Sequence, residues 1–203
     1  MQPLDFLKES PSQTAGPYVH IGCVPTFAGL EGVYPEDLGA KMITGDAKGE
    51  RITLKGRVID GSGTPLRDVM VEAWQADADG LFNSPAETRG TADPAFTGWG
   101  RQPGDGETGV YTFETVKPGR VPFPDGRLQA PHITLWIVAR GINLGLMTRC
   151  YFEDETEANA EDPILARVEH KVRIPTLMAK REGDTYTFDI HLQGDNETIF
   201  FDV

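Results

Sequence analysis

Glycine and proline recur so often in this chain that a long helix has almost nowhere to form. There are 23 glycines and 15 prolines among 203 residues, close to a fifth of the total. An interior Gly costs a helix about 1 kcal/mol relative to Ala, and an interior Pro about 3. Turns between short strands accept both residues readily. The expected fold is therefore all-β, with many turns and long connections.

The apolar pattern places the strands. Ile52, Leu54, Val58 and Ile59 lie in a β-rich run that stops at Asp60-Gly61-Ser62-Gly63, a strong turn signal. In the next run, VMVEAWQAD, alternation sends Val69, Val71, Ala73 and Gln75 to one face. Met70, Glu72 and Trp74 go to the other. Further strands are expected at 110–113, 132–138, 144–152, 185–192 and 198–203. This spacing predicts a mixed or antiparallel β-sandwich over residues 51–203. Asp162-Pro163 has the form of a helix start, with Asp as N-cap and Pro in the first turn. Ile164, Leu165 and Val168 follow at helical spacing, which predicts one short helix near 162–169.

Residues 1–50 have no sustained period, and Pro11, Gly16-Pro17, Pro25, Gly29, Gly32, Pro35, Gly39 and Gly45 interrupt them. They also carry Phe6, Leu7, Tyr18, Val19, Ile21 and Phe27, too many apolar side chains for a solvated tail. The segment is expected to be an extended N-terminal arm, covered either by this domain or by a partner.

A net charge of −12 argues against a nucleic-acid-binding surface. Cys23 and Cys150 form no CxxC pair and read as reduced thiols, as expected in the cytoplasm. The start, MQPLDFLKESPSQ, lacks the basic region of a signal peptide, and no apolar run approaches the roughly 18 residues of a membrane span. The acidic run EDETEANAED reads as a solvated loop face.

Motifs alone assign no active site. The histidines are His20, His132, His170 and His191, and none falls in an HxH, HxxH or HExxH spacing. Neither a GxSxG elbow nor a P-loop is present. Two readings stay open on the residues: a non-catalytic sandwich that binds a carbohydrate or a protein, and an enzyme that builds its own metal site from His20, His132, His191 and a carboxylate. Trp74 and Trp136 read as core aromatics, and His132 as a core or interface histidine.

Several segments, in order, resemble the intradiol ring-cleaving dioxygenases. They are PSQTAGPYVHIG, VEAWQADADG, TVKPG, APHITLWIVARGIN, TRCYFEDE and FDIHLQGDNETIFFDV, which together reach from the arm to the last residue. The resemblance implies a non-haem Fe(3+) held by two tyrosines and two histidines. Here Phe82 and Val121 stand where the tyrosines would be, and Thr134 replaces the second histidine beside His132. One imidazole is far short of a ferric site. The chain therefore resembles the family's metal-free α-type subunit, whose iron-bearing β-type subunit completes each site in an αβ hetero-oligomer. The implied reaction is O2-dependent cleavage of 3,4-dihydroxybenzoate (protocatechuate) to 3-carboxy-cis,cis-muconate. The resemblance assigns this chain no catalytic acid, base or nucleophile and no metal ligand. It assigns a substrate-contacting wall made of Thr14, Gly16, Pro17, Tyr18 and Arg140.

Overall fold

The structure is a computed structural model that describes residues 13–202. The expectations for Phe6, Leu7 and Pro11 lie outside the described residues.

Nine strands are described: β1 (Arg51–Ile59), β2 (Met70–Trp74), β3 (Trp99–Pro103), β4 (Val110–Val116), β5 (His132–Val138), β6 (Leu146–Phe152), β7 (Met178–Glu182), β8 (Thr185–Thr187) and β9 (Ile190–His191). Their hydrogen-bonded order is β3-β2-β5-β6-β7-β8-β1-β4, with β9 beside β1. The run β3-β2-β5-β6 is antiparallel throughout. A short parallel pairing of β6 with β7 carries the path into β7-β8-β1-β4, where β8 runs parallel to β1. This mixed all-β sandwich is the expected fold class.

The core lies between the two groups of strands. Val71 and Ala73 of β2, with Ile133, Leu135 and Ile137 of β5, meet Ile52, Leu54 and Val58 of β1 and Tyr111 and Phe113 of β4. The inward set predicted for β2, Val69, Val71, Ala73 and Gln75, is buried, but Met70 of the opposite face is buried as well. At Gly56 the neighbouring β8–β9 run comes too close for a side chain. A Cβ there would sit 1.9 Å from the Phe188 carbonyl oxygen, which also accepts the Tyr111 hydroxyl at 2.5 Å.

Trp74 and Trp136 are not core residues, for they are 38% and 37% exposed. Each sits on the outer face of its strand because smaller aliphatic residues fill the inner face. The 185–192 run breaks into β8 and β9, and residues 198–202 form no strand, although Thr198 N–H and Phe201 N–H donate to His191 O and Met147 O. Neither β3 nor β7 was expected. β3 is rich in Gly, Arg and Gln, and β7 is charged at its exposed end, so neither shows apolar alternation.

The helix expected at 162–169 is also corrected. A helix α2 (Thr156–Glu161) ends before Asp162, and residues 162–169 hold just a 3-10 turn at Leu165–Arg167. Pro163 disfavours helical geometry in the residue before it, and Asp162 is extended. The Asp162 carboxylate is wholly buried and accepts Ala130, Ile164 and Leu165 N–H, which binds the turn to the sheet instead of starting a helix. The acidic run that ends here is likewise more than a solvated face. Asp154 and Glu155 both grip Lys117, whose ammonium lies over the Phe152 and Tyr186 rings.

Before β1, a helix α1 (Pro17–Cys23) was not foreseen. Gly16 caps it in extended conformation and Pro17 opens it, which suits proline because a first-turn N–H has no helical partner. None of its residues is buried. It is tied down by His20 Nε2, 3.4 Å from Val69 O, and by Arg101, which donates to Cys23 O at 3.3 Å. Farther on, Met42 and Ala47 enter the main core. No helix among the described residues is long and apolar enough to cross a membrane.

Candidate functional site

Two places matter: the cleft between the arm and the sandwich, and the positions matched to the family's metal ligands.

The cleft has a volume of about 770 Å³, and Gly16, Pro17, His20, Phe27, Asp68 and Arg140 contribute to its walls. One wall begins at the Asp60 turn. The Asp60 carboxylate accepts Ser62 and Thr64 N–H and the Ser62 hydroxyl, and these bonds hold its pKa below the ordinary carboxylate range. The chain leaving this turn carries Thr64 to Asp68 along the cleft.

The opposite wall is the turn after β5. Ile142 N–H closes it on Ala139 O at 3.1 Å, and Gly141 takes φ +91°, a conformation that suits glycine. Arg140 sits at its corner, 80% exposed, with Nε 3.4 Å from Asp68 Oδ2. Thr14 fastens the arm to this turn. Its Oγ accepts Gly141 N–H at 2.6 Å, and its own proton has Ala15 O and Ala139 O within 3.2 and 3.5 Å.

Of the five residues assigned to the wall, the cleft therefore gathers Gly16, Pro17 and Arg140. Thr14 lies behind them with its hydroxyl engaged by the turn. Tyr18 does not line the cleft and is 84% exposed on α1. A Cβ on Gly16 would meet nothing within 4 Å in this chain. The cleft also brings in Asp68, which sequence reasoning missed. A lone Arg-Asp pair after a turn gives no spacing signal that it faces an arginine 72 positions later.

The metal-ligand positions tell a different story. The buried Asp77 carboxylate accepts Asp79 and Leu81 N–H and shapes the loop to Phe82. The Phe82 ring then stacks on Trp74, with centroids 5.9 Å apart and planes 5° apart. Val121 is buried and offers no donor. His132 Nδ1–H donates to Ala130 O at 2.8 Å in the arrangement that leaves Nε2 as the basic nitrogen. Burial, and then the Arg149 charge, push the His132 pKa down to about 4. Thr134 pairs across the sheet with Arg149 on one side and Trp74 on the other.

Arg149 is itself held in place. It donates to Gln129 Oε1 at 2.8 Å and reaches the Tyr151 hydroxyl at 3.4 Å, which in turn approaches Asp162 Oδ1 at 3.4 Å. The donor set thus comprises one neutral imidazole beside a fixed guanidinium. Ferric iron prefers anionic and imidazole donors, so these residues do not fit it. No group of three or more His, Cys, Asp or Glu that could hold a metal occurs among the described residues.

The mixed sandwich defines a fold class, and sequence comparison narrows it to a family. The dioxygenase family profile matches residues 25–194, and the chain belongs to the intradiol dioxygenase family. Within that family it is 45% identical over 204 residues to the protocatechuate 3,4-dioxygenase alpha chain of Pseudomonas putida, covering 98% of this chain and 99% of that one. The alpha chain of Burkholderia cepacia is 41% identical, with 97% and 98% covered. The beta chain of B. cepacia is 34% identical over 165 residues, or 76% of this chain and 69% of that one. The intradiol ring-cleavage dioxygenase of Tetranychus urticae shares the fold, with a TM-score of 0.56, 20% identity, and 79% and 89% coverage. Intradiol dioxygenases are iron enzymes.

Proposed function

We propose that this chain is the α-type subunit of a protocatechuate 3,4-dioxygenase. It pairs with an iron-bearing β-type subunit, and the assembly cleaves 3,4-dihydroxybenzoate with O2 to 3-carboxy-cis,cis-muconate in the cytoplasm. The alpha-chain relatives, matched over nearly their full length, support the role. The observation that carries it is a division of features within one chain. The ligand positions Phe82, Val121 and Thr134 offer ferric iron nothing, while Gly16, Pro17 and Arg140 line one open cleft.

In this reading the chain's residues position the substrate and leave the bond-breaking chemistry to the partner's half. Arg140 meets the substrate carboxylate, a pairing that guanidinium geometry favours. Gly16 leaves its face open to a planar ring, and Pro17 fixes the backbone beside it. Thr14 contributes through the turn that presents Arg140. Tyr18, exposed on α1, faces the partner's half. The arm residues Ile21, Phe27, Leu30, Val33 and Leu38 are exposed in the chain alone and are covered when the arm lies on the partner, as apolar surface in an obligate interface is.

Expression with and without a β-type chain tests this. The chain alone should contain no stoichiometric iron and show no ring cleavage. The co-purified assembly should be iron-loaded, coloured and active on 3,4-dihydroxybenzoate. An iron-loaded, active chain purified alone would falsify the proposal.

A further inference from the structure

Arg140 enters the cleft already paired. Its nearest carboxylate is Asp68, at 3.4 Å on the facing wall, and both side chains are open to solvent. Neither element moves freely. Asp68 ends a segment fixed by Asp60 to Thr64 N–H at 2.9 Å and by Leu66 N–H to Val58 O at 2.8 Å, and it leads directly into the buried Val69 and Met70. Arg140 rises from a turn clamped by Thr14. The carboxylate therefore stays within reach of the guanidinium, and any anion that enters must displace it or share the arginine with it.

Resting on the α-subunit reading, we propose that Asp68 is a positioning and selectivity residue for the carboxylate of the substrate. Asp68 holds Arg140 over the cleft while the site is empty, and its negative charge competes with an incoming carboxylate. A surface ion pair is weak, so the exchange is easy: a solvated pair is replaced by a guanidinium–carboxylate pair in a site closed by the partner. Aromatic diols that lack an anion cannot make this exchange, and they enter a cleft whose arginine remains with Asp68. Asp68 thus sets how strongly the wall discriminates between charged and uncharged rings.

The test uses the assembled, iron-loaded αβ protein and compares the KM for 3,4-dihydroxybenzoate with the inhibition constant of 3,4-dihydroxybenzamide, its uncharged isostere. Asp68→Asn removes the competing charge and keeps the size. The preference for the carboxylate over the amide should rise about two- to five-fold, the range of an exposed ion pair. Raising the ionic strength should shrink the gain. In an Arg140→Ala background, Asp68→Asn should leave the preference where Arg140→Ala alone puts it, because the two act as one unit. If Asp68→Asn leaves the preference unchanged while Arg140→Ala lowers it, Asp68 has no such role and the α-subunit reading stands. If Arg140→Ala itself leaves the preference unchanged, the substrate-wall reading fails and this proposal falls with it. Iron content, measured on every variant, separates loss of assembly from loss of selectivity.

Discussion

Thr14 Oγ accepts the Gly141 N–H at 2.6 Å, a bond that joins the start of the described arm to the turn carrying Arg140 across 127 positions of sequence. The hydroxyl is committed to the backbone, so Thr14 acts by fixing the place of its neighbour. Thr14→Val should raise the KM for 3,4-dihydroxybenzoate about five-fold, the effect of a hydrogen bond worth about 1 kcal/mol. Thr14→Ser, which keeps the acceptor, should restore it. Steady-state kinetics of the assembly checks both.

Arg140 should matter to the substrate and not to the metal. Arg140→Ala is expected to lower kcat/KM for the carboxylated catechol by about ten-fold or more, as loss of a charge-assisted hydrogen bond does. Iron stoichiometry should stay at the wild-type level. Loss of iron along with activity would mean that Arg140 holds the subunits together.

His132 makes the fold sensitive to mild acid. It is buried as the neutral imidazole, with its pKa pushed from an ordinary 6.5 to about 4. The unfolded chain binds the proton more readily, so stability is fullest above pH 6.5 and falls as pH drops toward 4. The loss should approach about 1.4 kcal/mol per pH unit within that window. Denaturant midpoints taken from pH 7.5 to 4 should show this slope, and His132→Gln, which can still donate to Ala130 O, should flatten it.

A second acid-labile point lies lower on the scale. Burial alone would raise the Asp154 pKa, but hydrogen bonds from Lys117, Arg181 and Tyr186 outweigh it and hold the value at about 2, below an ordinary 3.8. That contribution is present above about pH 4 and is lost as pH falls through 2. The group is largely solvated, so Asp154→Asn should cost only about 1 kcal/mol at neutral pH. The cost should vanish below pH 2, as thermal melts across the range would show.

Gly56→Ala should be the most damaging small change in the core. The added methyl would lie 1.9 Å from Phe188 O, against backbone that cannot swing aside as a side chain can. Overpacking of this kind costs roughly 1–3 kcal/mol, readable as a lowered denaturation midpoint with the far-UV spectrum retained.

What the sequence determined by itself was local. Alternation fixed the inward residues of β2, because a strand's period of two sends neighbours to opposite faces whatever packs against it. That Phe82 and Val121 carry no phenolate oxygen was equally legible, since side-chain chemistry does not depend on the fold. Tertiary structure decided the rest. Asp162-Pro163 has every local mark of a helix start, yet the buried carboxylate bonds to the sheet at Ala130 and the helix lies before it. Arg149 at Thr134, Asp68 at Arg140 and Thr14 at Gly141 are pairings between distant segments. Such pairings are set by which strands become neighbours and where an arm comes to rest, and no periodicity within either segment encodes them.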